Sequence, residues 1–210
     1  GGHQGIGSHQ CQRKLRCIWD GSLIGCNWLV EHIEKQELPG PGEKLEILRW
    51  AAKNGIRLKT LKLDFSAAFR RIKIDPSHRK YFGCIYKGQK HVYTCLPFGY
   101  KLSGFLFVRE AASVFRLHKL ILAALLELVA SLLYIDDSDT MVEERDYWMA
   151  VAVTMLFMRL LRVPIAPEKT ETGCAVDWQG LDFKWTNGPN GVQNIQVGVK
   201  KSKYTLMVES

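Results

Sequence analysis

Two strand-like runs in this chain of 210 residues end in aspartates. The apolar run 132–135 leads directly into Asp136 and Asp137, and the alternating run 61–63 leads into Asp64. Strands that end in carboxylates collect negative charge at one edge of a sheet, and hard cations such as Mg²⁺ prefer oxygen ligands. The three aspartates therefore predict a site for two divalent ions, an arrangement that supports in-line phosphoryl transfer.

Each motif also has a purely structural interpretation. The sequence Asp-Asp-Ser at 136–138 is ordinary turn chemistry, because short polar side chains hydrogen-bond to the nearby backbone. Asp64 precedes an alanine-containing stretch and is also suited to be a helix N-cap. Taken one at a time, the motifs leave both interpretations open, so the rest of the chain has to decide between them.

The overall composition favours one globular domain, or one domain with a lobe, and a polyanionic partner. Apolar residues make up 47% of the chain, which is enough for a real core, and the formal net charge is +8. A basic surface suits nucleic acid, although it also aids solubility. The six cysteines show no paired metal-ligand spacing, so they are interpreted as reduced intracellular thiols.

The most apolar segment, 120–135, is interpreted as a buried helix that leads into a buried strand. It carries Glu127 and is shorter than the roughly 20 residues that a membrane-spanning helix needs. We therefore expect no membrane partner. The sequence has neither a starting methionine nor a signal peptide, which predicts an intracellular protein and a fragment of a larger polyprotein.

Periodicity and turn signals predict α+β architecture with an antiparallel sheet, because hairpins alternate with helices without regular βαβ repeats. The predicted helices are 28–38, 43–52, a long helix from Ser103, and 145–162, with a short helical turn at 67–69. The predicted strands are 15–19, 58–64, the hairpins 81–86 with 91–95 and 132–135 with 140–142, and short strands within 176–204.

Five stretches, in order along the chain, resemble a reverse transcriptase of a retroelement, of the retroviral, LTR or DIRS-like type. They are 14–20 (a fingers strand), 63–69 (the first palm motif), 96–103 (the second), 134–137 (the Tyr-x-Asp-Asp box), and 167–169 with 178–180 (the fourth motif and the primer grip). The resemblance implies a right-hand polymerase architecture. Its expected parts are a flexible leader at 1–13, partial fingers at 14–60, a palm at 61–185 and a truncated end of palm or start of thumb at 186–210.

The resemblance also implies a function, RNA-directed DNA synthesis, and a set of site residues. The partners would be an RNA template, a DNA or RNA primer and dNTPs, and the cofactor would be two Mg²⁺ ions, with Mn²⁺ as the alternative. The catalytic and metal-binding residues would be Asp64, Asp136 and Asp137. The nucleotide-binding residues would be Arg16, Phe65, Phe69, Phe98, Gly99 and Lys169, and the primer or template contacts would be Tyr134, Trp178, Gln179 and Gly180.

Structural alternatives exist for several of these residues. Phe69, which would block a ribose 2′-hydroxyl, is also a plausible core aromatic, and Trp178 is equally suited to a hairpin with a buried tryptophan. The chain departs from the family pattern at Ala67, Phe98 and Gly104. Two other functions remain open: an RNA-dependent RNA polymerase, against which Phe69 argues, and a non-catalytic nucleic-acid-binding remnant.

Overall fold

A computed structural model describes residues 18–31, 34–66, 68–187 and 193–199. Its helices are α1 (Pro41–Lys53), α2 (Ser103–Leu125) and α3 (Tyr147–Leu160). Its strands are β1 (Leu58–Asp64), β2 (Gly83–Tyr86), β3 (Gln89–Val92), β4 (Val129–Tyr134), β5 (Asp137–Glu143), β6 (Glu171–Gly173), β7 (Ala175–Trp178), β8 (Leu181–Asn187) and β9 (Gln193–Val199). Short 3₁₀ turns lie at Cys26–Trp28, Ala68–Arg71, Arg79–Tyr81, Glu144–Asp146 and Pro167–Lys169.

The central sheet has four antiparallel strands in the order β4-β5-β1-β6. Strands β2 and β3 form a separate hairpin, and β7, β8 and β9 form a second antiparallel sheet. The predicted α+β class with an antiparallel sheet is therefore confirmed.

The two faces of the central sheet are both covered, which explains why β1 is buried along almost its whole length. Leu61, Leu63 and Val142 point to the side of α2 and α3 and join one apolar cluster with residues of those helices. Leu58 and Met141 point to the opposite side, where they pack with residues of α1 and of the second sheet. Because side chains alternate along a strand, the polar residues Lys62 and Asp64 share the face of Leu58.

Most predicted elements are confirmed, with small shifts at their ends. Helix α1 begins at Pro41, two residues earlier than predicted, because proline at the first helical position loses no hydrogen bond. The Glu43 side chain accepts a hydrogen bond from the Gly40 N–H at 2.8 Å and closes this end. Both predicted hairpins form, and the long helices from Ser103 and within 145–162 are present.

The predicted helix 28–38 is wrong. The structure has a single 3₁₀ turn, Cys26–Trp28, and no helix or strand among the described residues 29–31 and 34–40. Trp28 and Leu29 are more than 80% exposed, so these two apolar residues are not packed against the core. The segment instead bonds across to the start of α2, where Gln36 Nε2 donates to the Phe105 carbonyl at 3.1 Å.

The start of the chain is described only from residue 18. Residues 18–20 form no strand, and the predicted leader, most of the predicted strand 15–19 and Arg16 lie outside the described residues. The four cysteines that the structure describes are all unbridged. Within the same residues, no helix combines the length and the apolar character that crossing a lipid bilayer requires.

His118 links α2 to α3 inside the core and predicts a loss of stability in mild acid. Its side chain is fully buried, and its Nε2 lies 2.8 Å from Thr154 Oγ1. Thr154 donates its own proton to the Ala150 carbonyl, so the histidine Nε2–H is the donor. Burial lowers the pKa of His118 to about 4 from 6.5, because the charged ring would lose its hydration.

We expect the free energy of unfolding to fall by about 3 kcal/mol from this residue alone as the pH drops from 6.5 to 4. The unfolded chain takes up the proton near pH 6.5, whereas the folded chain resists it. Urea unfolding at several pH values, compared with His118→Gln, measures this contribution. Equal pH dependence of the two proteins in this window would contradict the assignment.

Candidate active site

The strand register brings the three aspartates to one end of the central sheet. Asp64 is the last residue of β1 and lies directly opposite Asp137, the first residue of β5. Asp137 also lies opposite Tyr134, the last residue of β4. The Asp136 carbonyl accepts the Phe65 N–H at 3.0 Å, which ties the turn to the end of β1. The residues predicted to be catalytic therefore come from two adjacent strands, β1 and β5, and from the turn that leads into β5.

The turn between β4 and β5 is held in an unusual backbone conformation. Only Ile135 and Asp136 lie between the two strands, and Ile135 has a φ of 53°. A β-branched residue is a genuine outlier at positive φ and costs on the order of 1–3 kcal/mol. The Ile135 side chain packs against the main apolar cluster, and this contact helps to hold the turn. The strain lies at the tip that carries two of the aspartates.

The pKa of the Asp137 carboxyl shows the effect of burial and of neighbouring charges. Burial raises the pKa of Asp137, and the nearby Asp136 and Asp64 raise it further, whereas Lys62 and Lys169 oppose the shift. Lys169 Nζ donates to Asp64 Oδ2 at 2.8 Å. This hydrogen bond raises the pKa of Lys169. A positive charge placed among these groups would relieve their mutual repulsion.

A second row of charged side chains lies immediately behind the aspartates on the same face of the sheet. Lys62 lies opposite Asp139 in the register, and its Nζ is 3.9 Å from Glu171 Oε1. Asp139 Oδ2 is 2.5 Å from the Nζ of Lys44 on α1, and both side chains are at most 1% exposed. Lys44 also lies over the ring of Phe183 at 4.9 Å. These charged side chains therefore lie next to the aspartates, one same-face position further along strands β1 and β5.

Sequence reasoning missed this second row. Lys62 is two residues before Asp64 and Asp139 is two residues after Asp137, so the period of two for a strand was a signal that all four share a face. Lys44 had no local signal, because it is 95 residues away from Asp139 along the chain.

An aromatic group flanks the site. The Phe65 side chain is 5% exposed and meets Phe107 edge-on, so a contact between Phe65 and a nucleotide would have to use its backbone. Phe69 is half-buried, and its ring centroid lies 5.3 Å from that of Phe98 and 5.8 Å from that of Phe107. Phe69 is thus supported by the core and partly open to solvent.

Gly99 is required by packing against the chain itself. Its φ is 98°, and a Cβ at this position would lie 1.9 Å from the Trp19 carbonyl oxygen. The neighbouring Phe98 carbonyl accepts the Trp19 N–H at 2.8 Å. The close approach that the structure shows at Gly99 is therefore to residue 19, and it joins the N-terminal segment to the loop before α2.

Residues 178–180 form the hairpin with a buried tryptophan. Trp178 is completely buried, and Gln179 and Gly180 both have positive φ in a two-residue turn between β7 and β8. Gln179 Nε2 donates to the Pro39 carbonyl at 2.7 Å. Any contact with a primer would therefore come from the turn and not from the Trp178 side chain.

The donor atoms at the aspartates suit a hard divalent cation, since all three are carboxylates and their charges repel one another. As placed, however, Asp64 is paired with Lys169, and among the residues described no three His, Cys, Asp or Glu side chains form a group that could hold a metal ion. The chemistry of the three carboxylates therefore fits such an ion, whereas the positions of the described side chains do not bring three ligands together.

The family model described as reverse transcriptase (RNA-dependent DNA polymerase) matches residues 27–204. The fold is similar to that of the foamy viral protease-reverse transcriptase dRH in complex with double-stranded DNA, with a TM-score of 0.66 and 14% identity over 92% of this chain. The foamy viral protease-reverse transcriptase in complex with an RNA/DNA hybrid gives a TM-score of 0.53 and 17% identity over 73% of this chain.

This chain covers 30% of the first of those solved chains and 18% of the second. No curated protein matches its sequence. The family model nevertheless spans most of the chain, and the register of the three aspartates lies within it. The chain belongs to the reverse transcriptase (RNA-dependent DNA polymerase) family.

Proposed function

We propose that this chain is the polymerase core of an RNA-directed DNA polymerase, which transfers a nucleotide from a dNTP to a primer 3′-hydroxyl on an RNA or DNA template. The observation that carries the proposal is the register that sets Asp64 opposite Asp137, with Asp136 in the adjoining turn. Solved relatives of this fold are complexes with double-stranded DNA and with an RNA/DNA hybrid, which supports a nucleic-acid partner.

Reverse transcriptases generally use divalent metal ions, and here Asp64, Asp136 and Asp137 would hold two Mg²⁺ ions, with Mn²⁺ as the alternative. When bound, such ions lower the pKa of an attacking hydroxyl and neutralise the departing pyrophosphate. Lys169, whose side chain is 53% exposed, keeps the Asp64 carboxylate in place and presents a cation beside it. The same lysine would contact the phosphates of the nucleotide.

The remaining proposed contacts surround this centre. Phe69 would lie against the sugar of the dNTP, supported from behind by the Phe107 ring. Tyr134, opposite Asp137, and the turn formed by Gln179 and Gly180 would contact the primer or template. The other proposed nucleotide contacts, besides Lys169, are Arg16, the backbone of Phe65, Phe98 and Gly99. Trp178 would support the primer turn.

The direct test is primer extension on an RNA template with dNTPs and Mg²⁺. We expect extension that requires the metal and stops on addition of EDTA, because the carboxylates bind nucleotide phosphates only through cations. Filter binding of the same template–primer serves as the control. Binding without extension at any Mg²⁺ or Mn²⁺ concentration would favour the non-catalytic remnant, and the proposed activity would be rejected.

Substitution of Phe69 by valine tests the choice of sugar. We expect the preference for dNTPs over rNTPs to fall by about 100-fold, because an apolar wall discriminates against an added hydroxyl to about that extent. Single-nucleotide incorporation with dNTPs and rNTPs measures the ratio, and Phe105→Val on α2 is the matched control. An unchanged ratio in Phe69→Val would remove Phe69 from the nucleotide site and reopen the RNA polymerase alternative.

A further inference from the structure

The hairpin of β2 and β3 exposes large apolar and aromatic side chains, which are usually packed against another surface. Ile85, Tyr86 and Val92 are 74%, 62% and 53% exposed, and Tyr81, just before β2, is 61% exposed. All residues of the two strands except Cys84 are exposed. A two-stranded ribbon is marginally stable in water, so this arrangement favours a surface that is covered when the protein works.

The charge of this region indicates what covers it. Positions 76–109 contain no aspartate or glutamate, although they contain six lysines and arginines. Those basic residues are Arg79, Lys80, Lys87, Lys90, Lys101 and Arg109. Arg109 is paired with Glu34 at 3.6 Å, so the other five carry the excess charge. Such a one-sided charge attracts a polyanion and repels a basic or cationic partner.

The cations and the aromatic rings are interleaved. Lys80 Nζ lies 5.1 Å from the centre of the Tyr81 ring, and Lys87 Nζ lies 5.5 Å from the centre of the Tyr86 ring. His91 lies beside Tyr86 on the same face of the hairpin, with ring centroids 6.3 Å apart. Exposed rings bordered by positive charge form the pattern that holds unpaired bases by stacking and their phosphates by charge.

The tip of the hairpin supports the same conclusion independently. Lys87 and Gly88 both have positive φ, 50° and 76°, in a two-residue turn between Tyr86 and Gln89. Such turns strongly prefer asparagine, aspartate or glycine at the first position. A lysine here is unfavourable for the turn, and strained positions of this kind cluster where function requires them. The turn thus holds the positively charged Lys87 at the tip of the hairpin, in a backbone conformation that is unfavourable for lysine.

The base of the hairpin is joined to the elements around the active site. Ile74 N–H donates to the Thr94 carbonyl and Leu96 N–H donates to the Ile72 carbonyl, both at 2.9 Å. Residues 96–99 then lead to Phe98, which contacts Phe69. The hairpin is thus connected through two short segments to the aromatic group that flanks the aspartates.

We propose that the β2–β3 hairpin binds an unpaired nucleic-acid strand, with Tyr86 as the stacking platform and Lys87, whose Nζ lies beside the Tyr86 ring, as a phosphate contact. This inference deepens the proposed function, because the unpaired strand next to a polymerase core is its template. The binding itself needs neither metal nor dNTP, and it can therefore be tested separately from synthesis.

The experiment measures the affinity of fluorescein-labelled 20-nucleotide oligo(U), 20-nucleotide oligo(dT) and a 20-base-pair DNA duplex in EDTA, without dNTPs. We expect Tyr86→Leu to weaken binding of both single strands by about tenfold, since stacking on an aromatic ring contributes on that order for each base. Tyr86→Phe keeps the ring and should bind as the unmodified chain does. Duplex binding should not respond to Tyr86→Leu.

The charge contact has its own variant, Lys87→Asn. Asparagine suits the turn better than lysine does, so the hairpin should form at least as well, and circular dichroism and thermal unfolding verify this. We expect the slope of log affinity against log salt to decrease in magnitude by about 0.7, for one lost phosphate contact. An unchanged slope would overturn the assignment of Lys87.

Three results would overturn the proposal as a whole: unchanged single-strand affinity in Tyr86→Leu, an equal loss for the duplex, or binding to anionic phosphatidylserine vesicles in place of oligonucleotides. Failure of primer extension alone would leave these affinities as they are. The two proposals therefore fail in distinguishable ways.

Discussion

Replacing Asp136 by asparagine is expected to reduce primer extension by about 10³-fold or more. A catalytic metal ion contributes several kcal/mol of transition-state stabilisation, and each 1.36 kcal/mol is a factor of ten in rate. Asparagine has nearly the same shape as aspartate and tolerates turns well. The backbone bond from Phe65 N–H to the residue 136 carbonyl is unaffected by the substitution, so the fold should be preserved.

Single-turnover extension on a preformed template–primer complex separates chemistry from binding. We expect Asp136→Asn to lose the chemical step while its affinity for template–primer stays within a few-fold of the unmodified chain. Glu110→Gln, which removes an exposed carboxylate on α2, is the matched control and should extend normally. Normal extension by Asp136→Asn would exclude the proposed metal site.

Replacing Lys44 by methionine is expected to destabilise the protein by about 3–5 kcal/mol, because it leaves the buried Asp139 carboxylate without its ion-pair partner. Both side chains are buried, at 1% and 0% exposure. Burial raises the pKa of Asp139, and the Lys44 ammonium opposes that shift. An unpaired carboxylate at this position would have to take up a proton or bring water into the core.

Urea unfolding at pH 7 measures this loss of stability, and two further variants serve as comparisons. Lys59→Met removes the same side chain from a partly exposed pair with Glu144, at 2.9 Å, and should cost much less stability than Lys44→Met, because solvent screens exposed pairs. The double variant Lys44→Met with Asp139→Leu should recover much of the lost stability, because a buried pair can be replaced by apolar residues. A loss in Lys44→Met no larger than in Lys59→Met would show that the pair is not tightly coupled.

The elements around the site could be predicted from local sequence because their signals are local. The alternation that ends in Asp64 and the turn at Asp136 each depend on neighbouring residues only. The predicted helix 28–38 shows the limit of such reasoning. The helical spacing of its apolar residues was present, but Trp28 and Leu29 are exposed to solvent. The segment is instead hydrogen-bonded to α2 and to Lys101, just before α2.

The amino-acid sequence by itself determined the α+β class and the family, and it predicted a site at the three aspartates, since strand endings and turn residues are encoded within a few positions of one another. The tertiary structure alone decided that Asp64 lies opposite Asp137, that Lys169 pairs with Asp64 and that Lys44 neutralises Asp139. These partners are 73, 105 and 95 residues apart in the sequence (137 − 64, 169 − 64 and 139 − 44). Contacts over such separations depend on strand order and on how the two faces of the sheet are covered, and neither leaves a local signal.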